Sequence, residues 1–179
     1  MKKVFYSLVA LAISLGAVAQ KEVMVGGAAM YPTKNIIENA VNSKDHTTLV
    51  AAVKAAGLVE TLQSAGPFTV FAPTNDAFGK LPAGTVDNLL KPENKATLTS
   101  VLTYHVVSGR FSSADVAKAI KAGNGKAQFK TVQGGMLTAM MKGNDVVLAD
   151  EKGNTSKITI MDVNQSNGVI HVIDAVVMP

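Results

Sequence analysis

The chain has 179 residues, of which 47% are hydrophobic and 17% charged, so it can bury one full-sized core and is not a wholly disordered protein. Its formal net charge is +4, and the basic residues form no continuous stripe, which argues against a nucleic-acid-binding protein. Cysteine is absent, and this excludes disulfides, zinc–thiolate sites, iron–sulfur clusters and cysteine nucleophiles.

The first twenty residues have the pattern of a secretory signal. Lys2 and Lys3 precede sixteen uncharged residues, 4–19, and Ala17-Val18-Ala19 supplies the small residues of a cleavage site. An uncharged run of this length is shorter than the roughly 20 residues that span a bilayer. We therefore predict a signal peptide at residues 1–19 and a secreted or periplasmic mature chain that does not insert into the membrane.

The next segment, residues 20–33, shows no periodicity and contains Gly26-Gly27 and Pro32, so we predict a flexible N-terminal linker. Regular patterns begin at Lys34, where the predicted domain, residues 34–179, starts. A first short helix is predicted over residues 35–41. A second helix is predicted up to Gly57, because apolar residues recur at intervals of three and four positions before it.

Further along, a strand bracketed by prolines is predicted at residues 67–73 and another strand at 104–107. Helices are predicted around residues 84–90, 92–102 and 114–122. The last third is rich in β-formers, with runs at 128–132, 137–141, 146–149, 157–163 and 169–177 separated by glycine- and asparagine-containing turns. Helices first and an antiparallel meander afterwards predict an α+β fold rather than a βαβ series.

Three stretches in this order resemble the motifs of the fasciclin domain family: FTVFAPTNDAF at residues 68–78, LTYHV at 102–106 and NGVIHVID at 167–174. The resemblance extends over residues 34–179. It implies a fasciclin-like fold, a wedge of two β-sheets with flanking α-helices toward the N-terminal half. It also implies an adhesion or interaction module without established catalysis, whose partners are surface proteins, matrix or carbohydrate.

Polar residues of these motifs admit a functional and a structural interpretation. Thr74, Asn75 and Asp76 form a polar turn, and His105 is either a metal ligand or general base, or a buried imidazole within a structural polar network. The resemblance favours the network. We predict that His105 bonds to the turn, with Asp76 or the adjacent backbone as its partner. The three histidines, at positions 46, 105 and 171, have no ligand spacing, so neither a metal nor a cofactor is predicted.

The resemblance also suggests two contact regions. Asp162-Val163 precedes the third motif where some fasciclin domains carry an integrin-recognition element, although Ile160 and Met161 differ from its flanks. The structural alternative makes Asp162 the end of a strand and Val163 part of the core. The second region is Tyr104-His105, where an exposed tyrosine ring would anchor a partner.

We therefore expect a secreted or periplasmic module for cell adhesion or protein interaction, with no enzymatic activity. The chain has no nucleophile elbow, P-loop or dinucleotide-binding motif. The alternative is a carrier of an apolar small molecule, such as a carotenoid or lipid, in a surface groove. It rests on Met136 and Met140, which alternation places on one face of a strand and whose flexible side chains suit irregular apolar ligands.

Overall fold

The computed structural model describes residues 21–179, so the predicted signal peptide lies outside the described residues. The helices are α1 (Ile36–Ala40), α2 (Thr47–Ala56), α3 (Val59–Gln63), α4 (Asn75–Gly79), α5 (Thr85–Leu89), α6 (Lys95–Tyr104) and α7 (Ser113–Ala122). The strands are β1 (Val23–Val25), β2 (Ala28–Met30), β3 (Phe68–Pro73), β4 (Val106–Ser108), β5 (Lys126–Lys130), β6 (Met136–Lys142), β7 (Asp145–Ala149), β8 (Thr155–Gln165) and β9 (Gly168–Ile173). Short 3-10 helices precede α2 and α6.

One seven-stranded sheet organises the molecule, in the strand order β4-β3-β9-β8-β7-β6-β5. Strands β5 to β9 form the antiparallel meander expected from the turn residues. Strand β3 is parallel to β9, with Phe68 opposite Gly168, and antiparallel to β4. All seven helices of residues 21–179 precede the meander. The predicted α+β class is confirmed.

Alternation along β3 and β9 divides the hydrophobic interior into two cores. We call the first the helical core. It packs α1, α2, α3 and α6 against the face that carries Val70, Ala72, Ile170 and Val172. We call the second the strand core. It packs α7 and strands β5 to β8 against the opposite face, where Phe71 and Ile173 lie.

The prediction of a flexible linker over residues 20–33 is wrong for most of that stretch. Strands β1 and β2 pair as a hairpin, with Val23 opposite Met30, and Val25 and Met30 are each only 3% exposed in the helical core. Gly26 and Gly27 both have positive φ, as a two-residue hairpin turn between apolar segments requires. Those glycines therefore form a turn and not the flexible segment that was predicted.

The two edge strands of the sheet approach each other. The Val132 N–H, just beyond β5, donates to the Val106 carbonyl in β4 at 2.7 Å, and the Gln133 N–H donates to the Thr103 carbonyl at 3.3 Å. The sheet therefore curls around the strand core, and its outer side between β5 and β8 faces solvent.

Candidate functional site

His105 is the motif residue that could act as a metal ligand or general base, and its ring lies inside the protein. It is 2% exposed at the end of α6. Its Nδ1 lies 2.8 Å from the Val101 carbonyl, which only a protonated Nδ1 can satisfy, and its Nε2 accepts from the Val177 N–H at 3.3 Å. The prediction that the ring bonds to the Thr74–Asp76 turn is therefore wrong. The hydrogen bond between His105 and the first motif is made by the His105 backbone carbonyl, which accepts from the Phe71 N–H at 2.9 Å.

The polar turn itself is built from caps. The Thr74 hydroxyl accepts from the Ala77 N–H at 3.2 Å and begins α4. The Asn75 carboxamide accepts from the Thr48 N–H at 3.0 Å and donates to the Lys44 carbonyl at 2.8 Å, so it joins α4 to the start of α2. Asp76 is exposed in the first turn of α4, where a carboxylate favours the helix dipole. The turn and the His105 ring are thus separate structural features.

Tyr104 does not offer an exposed aromatic anchor. It is 0% exposed, and its hydroxyl donates to the Met136 carbonyl at 2.7 Å and accepts from the Glu151 N–H at 3.3 Å. Burial raises the pKa of the phenol, with smaller opposing contributions from the Glu151 backbone. The interpretation of Tyr104 and His105 as partner contacts is therefore wrong, because both rings are enclosed by the fold.

Asp162 and Val163 lie at an irregularity in β8, where the register against β9 shifts. Val163 is 1% exposed in the helical core. Asp162 has a φ of +58°, and its carboxylate accepts from both the backbone N–H and the hydroxyl of Ser113 at the start of α7. The buried Val163 corresponds to the structural alternative, whereas Asp162 lies within β8 (Thr155–Gln165) and does not end the strand. As an integrin-type contact the pair is contradicted, since the aliphatic member faces the core.

His171 completes this arrangement on the neighbouring strand. Its Nδ1 accepts from the Asp162 N–H at 3.3 Å, and its Nε2 lies 2.8 Å from the Phe111 carbonyl. The ring stacks on Phe71 with centroids 5.8 Å apart. Burial lowers the pKa of His171, and it lowers that of His105 to about 4. Both imidazoles are therefore neutral at neutral pH and act as hydrogen-bonding links.

Asn167 has a structural role that was not predicted from the sequence. Its side-chain oxygen accepts from the Ile36 N–H at 3.0 Å, and its amide donates to the Leu62 and Ser64 carbonyls at 2.8 Å each. One buried carboxamide thus joins the start of α1, the end of α3 and the start of β9. The Asn167-Gly168 pair was the available sequence signal, and it predicted a turn but not these side-chain hydrogen bonds.

Asp150 is another buried polar residue. Its carboxylate accepts from the Lys152 and Asn154 N–H groups at 3.0 and 2.8 Å and from the Met178 N–H at 3.1 Å. Donors surround its oxygens, which makes it a poor cation ligand. Within residues 21–179, no group of three or more His, Cys, Asp or Glu side chains is placed to hold a metal.

A cavity of about 70 Å³ lies inside the helical core, lined almost entirely by apolar side chains from the hairpin, α1, α2, α3 and the sheet. His46 also lines it. The His46 Nδ1 lies 2.9 Å from the Ser43 hydroxyl, whereas its Nε2 has no hydrogen-bond partner among the described residues. Burial lowers the pKa of His46, against smaller opposite effects of the Ala72 backbone and Asp45.

This cavity does not match the predicted carrier site. Met136 and Met140 are not among its lining residues; they lie on the solvent side of β6, where their neighbours Leu137 and Ala139 face the strand core. Pockets that bind drug-sized ligands occupy about 300–1,000 Å³. The cavity is thus too small for a carotenoid or a lipid chain.

The buried polar residues of the motifs therefore stabilise the fold. His105, His171 and Asn167 each join two or more elements through backbone groups, and none of them has an unoccupied hydrogen-bonding atom at the surface. Such side chains hold the two cores together and are not positioned to transfer protons to a substrate.

A sequence model of the fasciclin domain matches residues 44–179. The chain belongs to the fasciclin domain family. The motif resemblance is thereby confirmed over most of the predicted domain. Among residues 21–179, no helix combines the length and the apolar character needed to cross a bilayer.

Two curated relatives illustrate the family. Protein sll1483 of Synechocystis sp. is 44% identical over 182 residues, which cover 98% of this chain and 94% of that protein. The cell surface glycolipoprotein MPB83 of Mycobacterium bovis is 34% identical over 160 residues, which cover 87% of this chain and 64% of that protein.

The fold also has a solved counterpart, a FAS1 domain pair from the insect cell adhesion molecule Fasciclin I. The TM-score is 0.71 over 82% of this chain, at 17% sequence identity. The chain spans about half of that two-domain structure, since 51% of it is covered. This similarity confirms the fold.

Proposed function

We propose that this fasciclin domain is an exported module for cell adhesion or protein interaction that acts through its outer surface and performs no catalysis. The observation that carries the proposal is the placement of the motif polar groups. His105, His171 and Asn167 are buried and bonded to backbone atoms, so the most distinctive side chains of the sequence serve the fold. Recognition is then left to exposed residues.

Two further observations support an exported adhesive role. The first nineteen residues have the composition of a signal peptide. A relative is named as a cell surface protein, and the structural neighbour comes from a cell adhesion molecule. Partners of the proposed module are surface proteins, matrix or carbohydrate in the envelope or medium.

Attachment of protein-coated beads to cells of the source organism tests this proposal. Beads that carry the folded protein should bind several times more cells than beads that carry the same protein after heat denaturation. A deletion strain should also aggregate and attach less than its parent, and the plasmid-borne gene should restore both. Equal attachment by folded and denatured protein, with no defect in the deletion strain, would contradict an adhesive role.

The matched control is a folded variant with an altered surface far from any candidate contact. Lys91 and Lys95 are exposed near the start of α6, and their replacement by glutamate should leave bead attachment unchanged. A turnover assay with generic ester, phosphate and glycoside substrates addresses catalysis. Activity that persists after repurification would overturn the non-catalytic part of the proposal.

A further inference from the structure

The solvent side of strands β5 to β8 is an unpartnered sheet face with an ordered arrangement of side chains. Alternation along these strands directs Ala127, Phe129, Leu137, Ala139 and Leu148 into the strand core. Their neighbours point the other way and form what we call the outer face. It comprises Lys126, Gln128, Lys130, Met136, Thr138, Met140, Lys142, Asp145, Val147, Ala149, Thr155 and Lys157.

The strand register arranges the outer face in rows across the sheet. One row runs Lys126–Met140–Val147–Lys157 and the next runs Gln128–Thr138–Ala149–Thr155. Neighbouring strands lie about 4.8 Å apart, so the two lysines of the first row stand about 14 Å apart across a short apolar strip. The second row presents an amide and two hydroxyl groups beside that strip.

Positive charge is concentrated on this face. Among residues 21–179 there are 15 basic and 13 acidic side chains, a net charge of +2. The outer face holds four lysines and one acidic residue, Asp145, and therefore carries +3, which leaves the remaining described surface slightly negative. Asp145 pairs with Lys157 at 2.8 Å. Lys126 and Lys130 have no carboxylate within salt-bridge distance among the described residues.

We propose that the outer face binds a linear acidic polysaccharide. Lysines at its borders would pair with carboxylates or sulfates along the polymer. The amide and hydroxyl row would bond to sugar hydroxyls, and the partly exposed Met140 would contact the C–H face of a sugar ring. This inference deepens the proposed function by naming the partner class, and it rests on the proposed exported location.

The apolar part of the face favours a polymer over a bilayer. Val147 is only 7% exposed, and Met136 and Met140 are partly buried. These side chains lie level with the sheet surface, whereas interfacial membrane anchors bury an apolar face some 5–10 Å into the lipid. Met141, the exposed methionine of β6, points to the opposite side.

Binding of alginate to the purified protein tests the inference, with neutral dextran and with vesicles of phosphatidylglycerol and phosphatidylcholine as the comparison probes. Alginate should bind, dextran should not, and affinity should fall at least tenfold between about 0.01 M and 0.15 M salt as the Debye length contracts from about 30 to 8 Å. The variant Lys126→Glu/Lys130→Glu should bind at least tenfold more weakly. The matched variant Lys91→Glu/Lys95→Glu, with the same change in net charge, should bind within twofold of the parent.

Equal loss in the two double variants would overturn the inference, because it would show attraction to net charge alone. Dextran binding as tight as alginate binding, or vesicle binding tighter than alginate binding, would also overturn it. If the Glu variant fails to fold by circular dichroism, Lys126→Gln/Lys130→Gln and the salt series on the parent protein decide the question. If alginate binds and the deletion strain attaches normally, the adhesive function is refuted and this inference stands. If the deletion strain attaches poorly and alginate does not bind, the adhesive function stands and this inference is refuted.

Discussion

The two cores of this domain differ in how completely they are filled. In the strand core, Leu137, Ala139, Leu148 and Ile173 are each 0% exposed. The helical core contains a cavity of about 70 Å³ and a histidine with one unbonded ring nitrogen. Strand alternation places every second side chain against the next layer, whereas α1 and α3, with five residues each, present little more than one helical turn to the core. The comparison teaches that the middle of the meander is fully enclosed, while the helical core retains an internal void.

The largest expected effect comes from truncating one leucine in each core to alanine and comparing the losses of stability. Leu137→Ala in the strand core should lower the free energy of unfolding by about 4–5 kcal/mol, and Leu49→Ala in the helical core by about 2–3 kcal/mol. The difference arises because neighbours of Leu49 can relax around a void that already exists, while those of Leu137 cannot. Urea unfolding monitored by circular dichroism measures both. Equal losses would mean that the cavity does not soften the helical core.

The next effect concerns the histidine between the cores. In the folded state the pKa of His105 is about 4, below the usual 6.5, so the unfolded chain takes up its proton first as pH falls. Stability from the neutral ring is fully present above about pH 6.5 and is lost between there and pH 4, by on the order of 3 kcal/mol. His46 and His171 shift in the same direction.

Free energies of unfolding measured at a series of pH values test this linkage. His105→Gln should flatten the decline between pH 6.5 and 4. Leu49→Ala, which is destabilised but keeps all three histidines, should retain the slope of the parent. A parental slope in the His105→Gln protein would show that another group is responsible.

A third test weakens the link between the helices and β9. Asn167→Asp preserves size but replaces the amide that donates to the Leu62 and Ser64 carbonyls. We expect a loss of about 2–3 kcal/mol at neutral pH, because a buried carboxylate would face two carbonyl oxygens. The control Asn42→Asp removes one exposed bond to the Glu38 carbonyl and should cost under about 0.5 kcal/mol. Similar losses in thermal denaturation would refute the bridging role.

The smallest expected effect is a gain in stability when a side chain partly fills the cavity of the helical core. Val53 lines the cavity from α2, and Val116 lies in the strand core on α7. Val53→Ile adds a methyl group toward the void and should stabilise the protein by about 0.5–1 kcal/mol. Val116→Ile should destabilise it by about 1–3 kcal/mol through overpacking. Stabilisation by both substitutions, seen as higher urea midpoints, would show that the strand core also has free space.

The sequence predicted those parts of the fold that local patterns encode. Alternating apolar residues and turn pairs located the meander, and the three motifs identified the family. The parallel pairing of β3 with β9 was not predicted, because no local pattern specifies which distant strand lies beside another. The β1–β2 hairpin was missed because Gly26-Gly27 is consistent with either a turn or a flexible segment.

At the candidate site, the residue types predicted which side chains are buried and bonded, but the sequence did not predict their hydrogen-bond partners. A histidine between an aromatic residue and two valines indicated a buried, bonded ring, but the partner at Val177 comes from a segment 72 residues away. The capacity of Asn167 to bridge three segments depends on where α1 begins and α3 ends in space, which is a tertiary property. The rows of the outer face likewise require the strand register, since Lys126 and Lys157 are 31 positions apart.

The parallel pairing of β3 with β9 has a consequence for biosynthesis. Phe68 and Gly168 are neighbours across the central strand pair, so the middle of the sheet cannot close until β9 has been synthesised. The meander strands make local contacts and can pair quickly once they are synthesised, but β9 is the strand that joins β3 to β8. A translation product that stops short of β9 would lack this central strand and would leave the helical core without Ile170 and Val172.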